Sequence, residues 1–346
     1  MLNGQESAMK KLCLIPLILL MTACSLFTPG SSTSSPPVSP ESTSVEDFSP
    51  DQPGVPHEGR WGIYRLDIDT QKIKLLFNSP IEIASLRLNS AGDRFVFSQK
   101  VGGESNTNEE IFTLSIDGSD LKRITQNSIW DLYPAWSPDG SRIAFLSQRA
   151  SNLDIYIMNA DDSNARLLSG SSSNEADIDW RGEAIVFTKD SSIWIMQSDG
   201  AGVRQVTNPP RAGEWGKANL PFGDYDPRIN PDGTKIIFER LVDDQSPHGN
   251  YDFYSVDIAS ASELRLNNSG YSQGLASWSN SGDRIVYIVA AMGATGQYDL
   301  YMMKADGTEN RNITPQYFPP EFLCHWAVFS NDDTAIYFIG EWWSGE

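Results

Sequence analysis

Tyr133-Pro-Ala-Trp-Ser-Pro-Asp-Gly-Ser-Arg-Ile-Ala-Phe-Leu-Ser, continued by Asp154-Ile-Tyr-Ile-Met-Asn, Ala160-Asp-Asp-Ser-Asn and Arg166-Leu-Leu-Ser, decides the fold. Tyr133 to Trp136 reads as a short apolar strand and Arg142 to Ser147 as a half-buried one that alternates apolar with small or polar residues. Between them, Pro138 presets a negative φ, Asp139 can bond forward to the backbone, and Gly140 accepts the positive φ that a Cβ resists. Asp154 to Asn159 gives a third strand, Ala160 to Asn164 a polar turn, and Arg166 to Leu168 a fourth strand. The unit is one small antiparallel sheet.

Working outward from this stretch, the unit recurs. Asn89-Ser-Ala-Gly-Asp, Asn230-Pro-Asp-Gly, Ser279-Asn-Ser-Gly-Asp, Ser330-Asn-Asp-Asp and a shortened Arg181-Gly-Glu align with Ser137-Pro-Asp-Gly. Gly92, Gly140, Gly182, Gly233 and Gly282 are spaced by 42 to 51 residues. Each turn leads into a second strand: Arg94-Phe-Val-Phe, Arg142-Ile-Ala-Phe, Ala184-Ile-Val-Phe, Lys235-Ile-Ile-Phe, Arg284-Ile-Val-Tyr and Ala335-Ile-Tyr-Phe. Third strands of the Asp154-Ile-Tyr-Ile-Met type follow, then a short fourth strand ending in Ile-Thr, Leu-Ser, Val-Thr or Leu-Asn. Four strands every 40 to 50 residues make a propeller blade, because one such sheet cannot bury both faces and must stack on its neighbours around an axis.

The two ends complete the count. Trp61-Gly-Ile-Tyr-Arg-Leu-Asp and Lys72-Ile-Lys-Leu-Leu-Phe match third and fourth strands, whereas His325-Trp-Ala-Val-Phe to Glu341-Trp-Trp supplies only a first and a second. Five whole units and one shared by both termini predict an all-β, six-bladed propeller of four-stranded antiparallel blades, with no long exposed edge. The expected state is a monomer. The Trp-Ser-Pro-Asp-Gly turn, the Ile-Ala-Phe after it and the Asp-Ile-Tyr-Ile-Met-Asn-Ala-Asp further on resemble the repeats of TolB-like six-bladed β-propellers, relatives of the WD-type propellers. The resemblance covers about residues 59 to 346 and is weakest at Asn174 to Ser198. It implies protein contact within a cell envelope and names no particular partner, since propellers host binding proteins and enzymes alike.

Ahead of the repeats, Lys10-Lys11, the apolar run Leu12 to Met21 and Thr22-Ala23-Cys24 read as a secretory signal over residues 1–23. Ala23 before Cys24 resembles a bacterial lipoprotein signal, in which Cys24 is the lipidated first residue of the mature chain. The alternatives are an ordinary signal cut elsewhere or a short membrane anchor, and Met9 is an alternative start. Residues 24–58, rich in Ser, Thr and Pro, cannot bury enough apolar area to offset their ordering entropy and form a disordered tether. The chain carries a net charge of −19. That excludes nucleic acid as a natural partner and limits membrane contact to the lipid. With Cys13 in the signal and Cys24 lipidated, Cys324 has no partner for a disulfide.

Catalytic motifs are weak. Gly270-Tyr-Ser-Gln-Gly274 has the G-x-S-x-G pattern, but a nucleophile elbow needs a strand before it and a helix after it. His57, His248 and His325 show no metal-ligand spacing, no calcium loop is present, and neither metal nor cofactor is expected. The informative set comes from aligning the innermost strands. Tyr133 aligns with Ser85, Asp177, Asp226, Leu275 and Trp326; two residues on, Ala135 aligns with Arg87, Asp179, Arg228, Ser277 and Val328. The charged members either pair with one another and keep the channel wet, or form a polar mouth for a peptide, a sugar or an ion. In the second case Asp177, Asp179 and Asp226 make a carboxylate cluster and Arg87 and Arg228 hold an anion bidentately. Tyr133 and Trp326 complete that candidate mouth. A second candidate surface is the loop face, where Trp215 and Phe222 stand in the Gly/Pro-rich stretch 209–222, able either to anchor a partner or to cover the core. The expected function is a noncatalytic protein-binding scaffold for an envelope protein or peptide. The alternative is a glycan- or peptide-binding protein, or a carbohydrate-active enzyme, that uses the Asp/Arg ring.

Overall fold

A computed structural model describes residues 54–57, 59–102, 108–215, 221–243, 249–268, 270–290 and 298–343. The signal, Cys24, the tether to residue 53 and His248 lie outside them. The described residues form twenty-four strands in six four-stranded antiparallel sheets. Five blades run in sequence from innermost to outermost strand, opening with Ile83–Leu88, Asp131–Trp136, Glu175–Arg181, Asp224–Ile229 and Ser272–Trp278. The sixth is shared: Phe322–Phe329 and Ala335–Trp342 from the C-terminal end join Trp61–Asp67 and Ile73–Ser79. Trp61 to Asp67 pairs with Glu341 to Ala335 without a break, and Arg60 adds an ion pair to Glu341 at 2.7 Å. The ring is therefore closed by backbone hydrogen bonds between the chain's two ends.

Each repeated signal has a structural job. The turn glycines all take left-handed φ, +56° to +76°, and in the Ser330-Asn-Asp-Asp turn Asp333 takes +58° in their place. The aromatic that ends each second-strand motif is fully buried in all six blades: Phe97, Phe145, Phe187, Phe238, Tyr287 and Phe338. Each is paired in register with an aromatic of the third strand, Phe112, Tyr156, Trp194, Tyr254, Tyr301 and Tyr64. Such cross-strand pairs fill the space between twisted sheets and stabilise them beyond area burial alone. The Thr or Asn after the fourth strand satisfies a third-strand amide: Ile111, Ile193 and Leu300 donate to Thr125, Thr207 and Thr314 Oγ1, and Phe253 donates to Asn267 Oδ1, all at 2.9 to 3.0 Å.

One boundary differs from the sequence reading. Val55 is buried, the Tyr64 hydroxyl donates to Pro56 O at 2.9 Å, and His57 stacks on Trp342 with ring centroids 4.0 Å apart. The packed body thus begins inside the stretch assigned to the tether, because the closing blade offers an apolar ledge that composition does not reveal. Ser272 of the G-x-S-x-G stretch opens an innermost strand and pairs with Ala290, and a strand, not a helix, follows.

Candidate functional site

Every innermost strand carries a β-bulge at the same place. The register breaks between Ala84 and Arg87, Leu132 and Ala135, Ala176 and Asp179, Tyr225 and Arg228, Gly274 and Ser277, and His325 and Val328. The first residue inside each bulge is left-handed: Ser85, Tyr133, Asp177, Asp226, Leu275 and Trp326 have φ between +49° and +59°. Left-handed conformation costs a residue with a side chain about 1–2 kcal/mol, and Tyr, Leu and Trp rarely adopt it. Six such residues around one axis require the packing of the whole ring to hold them.

These six form an inner tier and are all buried. The tier divides by chemistry. On one side, the Tyr133 and Trp326 rings meet edge to face at 5.7 Å and the Arg87 guanidinium lies 5.5 Å from the Trp326 ring centre. On the other, Asp177 and Asp226 adjoin: the Asp226 N–H donates to Asp177 Oδ2 at 3.3 Å, and Arg228 Nη2 donates to Asp226 Oδ1 at 2.5 Å. Burial, reinforced by the Asp226 charge, pushes the Asp177 carboxyl up to about 6.

Glu239 belongs to this acidic side and was missed by the sequence reading. It follows Phe238 on the second strand of the fourth blade, where the other blades carry Ser98, Leu146, Thr188, Ile288 and Ile339. A carboxylate at a position otherwise small or apolar was the available signal. It is fully buried, its Oε1 accepts the Leu275 N–H at 2.5 Å, and burial with the Asp226 and Asp177 charges pushes its pKa well up. Asp226 Oδ2, Glu239 Oε2 and the Tyr251 hydroxyl are buried without partners.

The second tier lies two residues further along each strand. Arg87, Ala135, Asp179, Arg228, Ser277 and Val328 all line one cavity of about 160 Å³ at the turn side of the ring. Trp136, Trp180 and Trp278, equivalent positions in three blades, form its apolar wall while packing between blades. Turns of five blades rim it, and neighbouring turns are tied across the blades: Asn280 Nδ2 donates to Ser330 O at 2.9 Å, Asn331 Nδ2 to Ser90 O at 2.7 Å and the Ser90 hydroxyl to Pro138 O at 2.5 Å. Asp179 Oδ2 accepts the Ile229 N–H at 2.8 Å. Burial first, and then the Arg228 charge, bring Arg87 down to about 10 against the opposing pull of Asp226 and Asp179. The two guanidiniums are near neighbours and both remain charged at neutral pH.

The proposed channel residues are thus brought together in two layers instead of one mouth. The loop-face pair separates. Trp215 is 48 % exposed, whereas Phe222 is 4 % exposed beneath the Arg211 guanidinium, 3.7 Å from its ring centre. Phe222 serves as cover for the body and offers no anchoring surface.

Residues 26–281 match the family model of the TolB beta propeller domain. The chain belongs to that family. Among curated proteins, a TolB homologue from Chlorobium luteolum is 31 % identical over 42 % of this chain and 33 % of its own length. A Tol-Pal system protein TolB from Desulfosudis oleivorans is 31 % identical over 31 % of this chain and 25 % of its own length. This TolB-type chain therefore spans a third or less of each of those relatives. A solved structure from Agrobacterium tumefaciens, described as a TolB, aligns with 82 % of this chain and 99 % of that one at TM-score 0.63 and 16 % identity. At that identity the likeness concerns the fold.

Proposed function

We propose that this TolB-type propeller is an exported, noncatalytic protein-binding scaffold of the bacterial envelope, which receives a segment of a partner protein at the turn-side end of its channel. Family membership supports the class of function, and the Desulfosudis relative is named as a protein of the Tol-Pal system. The observation that carries the site is the convergence of Arg87, Asp179 and Arg228 from three blades on one cavity walled by tryptophans. A rigid ring that presents charge at the end of an aromatic-lined recess suits recognition of a short segment. The inner tier offers no second opening for it, because those residues are buried and bonded to one another.

Export and anchoring belong to the same proposal. Residues 1–23 are a lipoprotein signal, Cys24 is the lipidated residue, and the Ser/Pro-rich stretch after it holds the propeller off the membrane while leaving it free to reorient. Cell fractionation tests this part: the wild type sediments with membranes and Cys24→Ser does not. Affinity capture from envelope extracts tests the rest. The immobilised protein is expected to retain a defined envelope protein that a folded Arg87→Gln, Asp179→Asn double variant releases. Retention of nothing by the wild type sinks the scaffold reading.

A further inference from the structure

The lining of the turn-side cavity is cationic, although the chain as a whole carries −19. Three arginines line it, Arg87, Arg181 and Arg228, beside a single carboxylate, Asp179. Arg228 is ion-paired with Asp226, and Asp179 is held by the Ile229 amide. Among the described residues, Arg87 and Arg181 make no ion pair, whereas Arg228 in the same lining does, as do Arg123 with Glu110, Arg149 with Asp131 and Arg240 with Asp224. The single hydrogen bond of the Arg87 side chain runs from Nη1 to the neighbouring Leu86 carbonyl at 3.0 Å.

The unsatisfied groups have one sign. Of the residues lining the cavity, Arg87 Nε, Arg228 Nε and Trp136 Nε1 are buried without partners, and all three are donors. The unpartnered acceptors lie elsewhere, on residues such as Asp226 and Glu239. An orphaned buried donor costs about 1–3 kcal/mol, so the side chains around the cavity carry spare donors and no spare acceptor. Among the residues that line the cavity, Arg87, Arg181 and Arg228 stand against Asp179 alone, so the lining is cationic and suits an anion. The volume of about 160 Å³ is near that of a cavity known to take one benzene-sized group, so it admits a side chain and no more.

Resting on the protein-binding reading above, we infer that this cavity is a carboxylate site, which takes one acidic side chain or one chain-terminal carboxylate of the partner between Arg87 and Arg181. The paired Arg228 completes the positive wall, and the indoles of Trp136, Trp180 and Trp278 pack the aliphatic stem. Arginine is suited to this because its planar fork meets a carboxylate with two parallel hydrogen bonds.

The test is a titration of the ¹⁵N-labelled chain, followed through the indole N–H signals of Trp136, Trp180 and Trp278. Four probes are added separately: acetyl-glutamate N-methylamide, acetyl-glycylglycine, the neutral acetyl-glutamine N-methylamide, and inorganic phosphate. One or both carboxylate probes should shift the three indole signals saturably, and the better of the two identifies a side chain or a chain terminus as the source. The neutral amide should leave them in place, and Arg87→Gln should weaken the carboxylate by about tenfold or more while the variant stays folded and unfolds cooperatively. Arg181→Gln carries the same expectation and decides the matter should Arg87→Gln fail to fold. Equal shifts from the neutral amide, undiminished binding by the arginine variants, a response to phosphate alone, or no response to any probe would each overturn the site. Because the probes are small molecules, that failure would leave the scaffold reading to the capture experiment, which uses no probe.

Discussion

The two tiers of the channel come from the same six strands, two residues apart, and they behave in opposite ways. In the inner tier every position is buried and left-handed, and its charges are consumed internally, Arg228 on Asp226 and the Asp226 amide on Asp177. In the turn-side tier Arg87 and Asp179 are only partly buried, the backbone has returned to strand register, and Arg87 has no carboxylate partner among the described residues. The bulge creates the difference. By setting two residues against one, as Ser85 and Leu86 against Phe97, it turns the first inward to be locked by its neighbours, and where register resumes, at Arg87, the side chain lines the cavity. Charge alone therefore does not mark a binding position in this ring.

The comparison breaks first at Arg228, which takes part in both tiers. Replacing it by leucine leaves Asp226 buried without its cation beside Asp177. Breaking a buried pair in this way costs about 3–5 kcal/mol, so urea unfolding of Arg228→Leu should show a loss of that order, and a loss under 1 kcal/mol would show that the inner tier is not held by the pair. Asp177→Asn should act in the other direction. Its carboxyl rises from 3.8 to about 6 on folding, mainly through burial and then through Asp226. The folded state thus holds a proton that the unfolded state has released between those pH values, and stability falls as pH rises through the window. The full effect, about 3 kcal/mol as an upper bound, is present above pH 6. Asn keeps the acceptor for the Asp226 amide, so the variant should melt higher than wild type at pH 8 and equally at pH 3.5. Identical melting at both pH values would remove Asp177 from the electrostatics of the inner tier.

What the sequence made legible follows from what repeats. The turn glycines, the buried aromatic after each turn and the Thr or Asn after each fourth strand recur because each does the same backbone or packing job in every blade, and they fixed blade number and the shared closing blade. The alignment of Arg87, Ala135, Asp179, Arg228, Ser277 and Val328 held for the same reason, since all six line one cavity. The bulge was not legible. Ser85, Tyr133, Asp177, Asp226, Leu275 and Trp326 include no glycine, so nothing in their types announces positive φ; the ring imposes it. Glu239 lies on a second strand, outside the alignment of the innermost strands, and the burial of Phe222 depends on cover by Arg211, which its own sequence neighbourhood does not report. The stacking of His57 depends on Trp342, nearly three hundred residues away, and no local pattern reports it.

The turn-side tier gives the milder prediction. Arg87 has no ion pair to lose, only the Leu86 carbonyl and the contact with the Trp326 ring. Arg87→Gln should lower stability by about 1 kcal/mol, several-fold less than Arg228→Leu, and it should remove the charge that repels Arg228. Equal losses from both variants would erase the distinction between tiers and make Arg87 a structural residue of the inner one.

Trp215 should matter least to the fold. It is 48 % exposed and is tied to the body through a lone backbone bridge to Pro221, which side-chain truncation leaves in place. Trp215→Ala should therefore change unfolding free energy by less than about 0.5 kcal/mol, as surface substitutions away from caps and networks do. That neutrality is what makes it informative. A fold-neutral variant that loses partner capture would move recognition from the cavity to the loop stretch 209–222, where an exposed tryptophan is the natural anchor. Capture unchanged by Trp215→Ala and lost with the Arg87 and Asp179 charges would instead leave the turn-side tier as the binding surface, with the inner tier as the frame that holds it open.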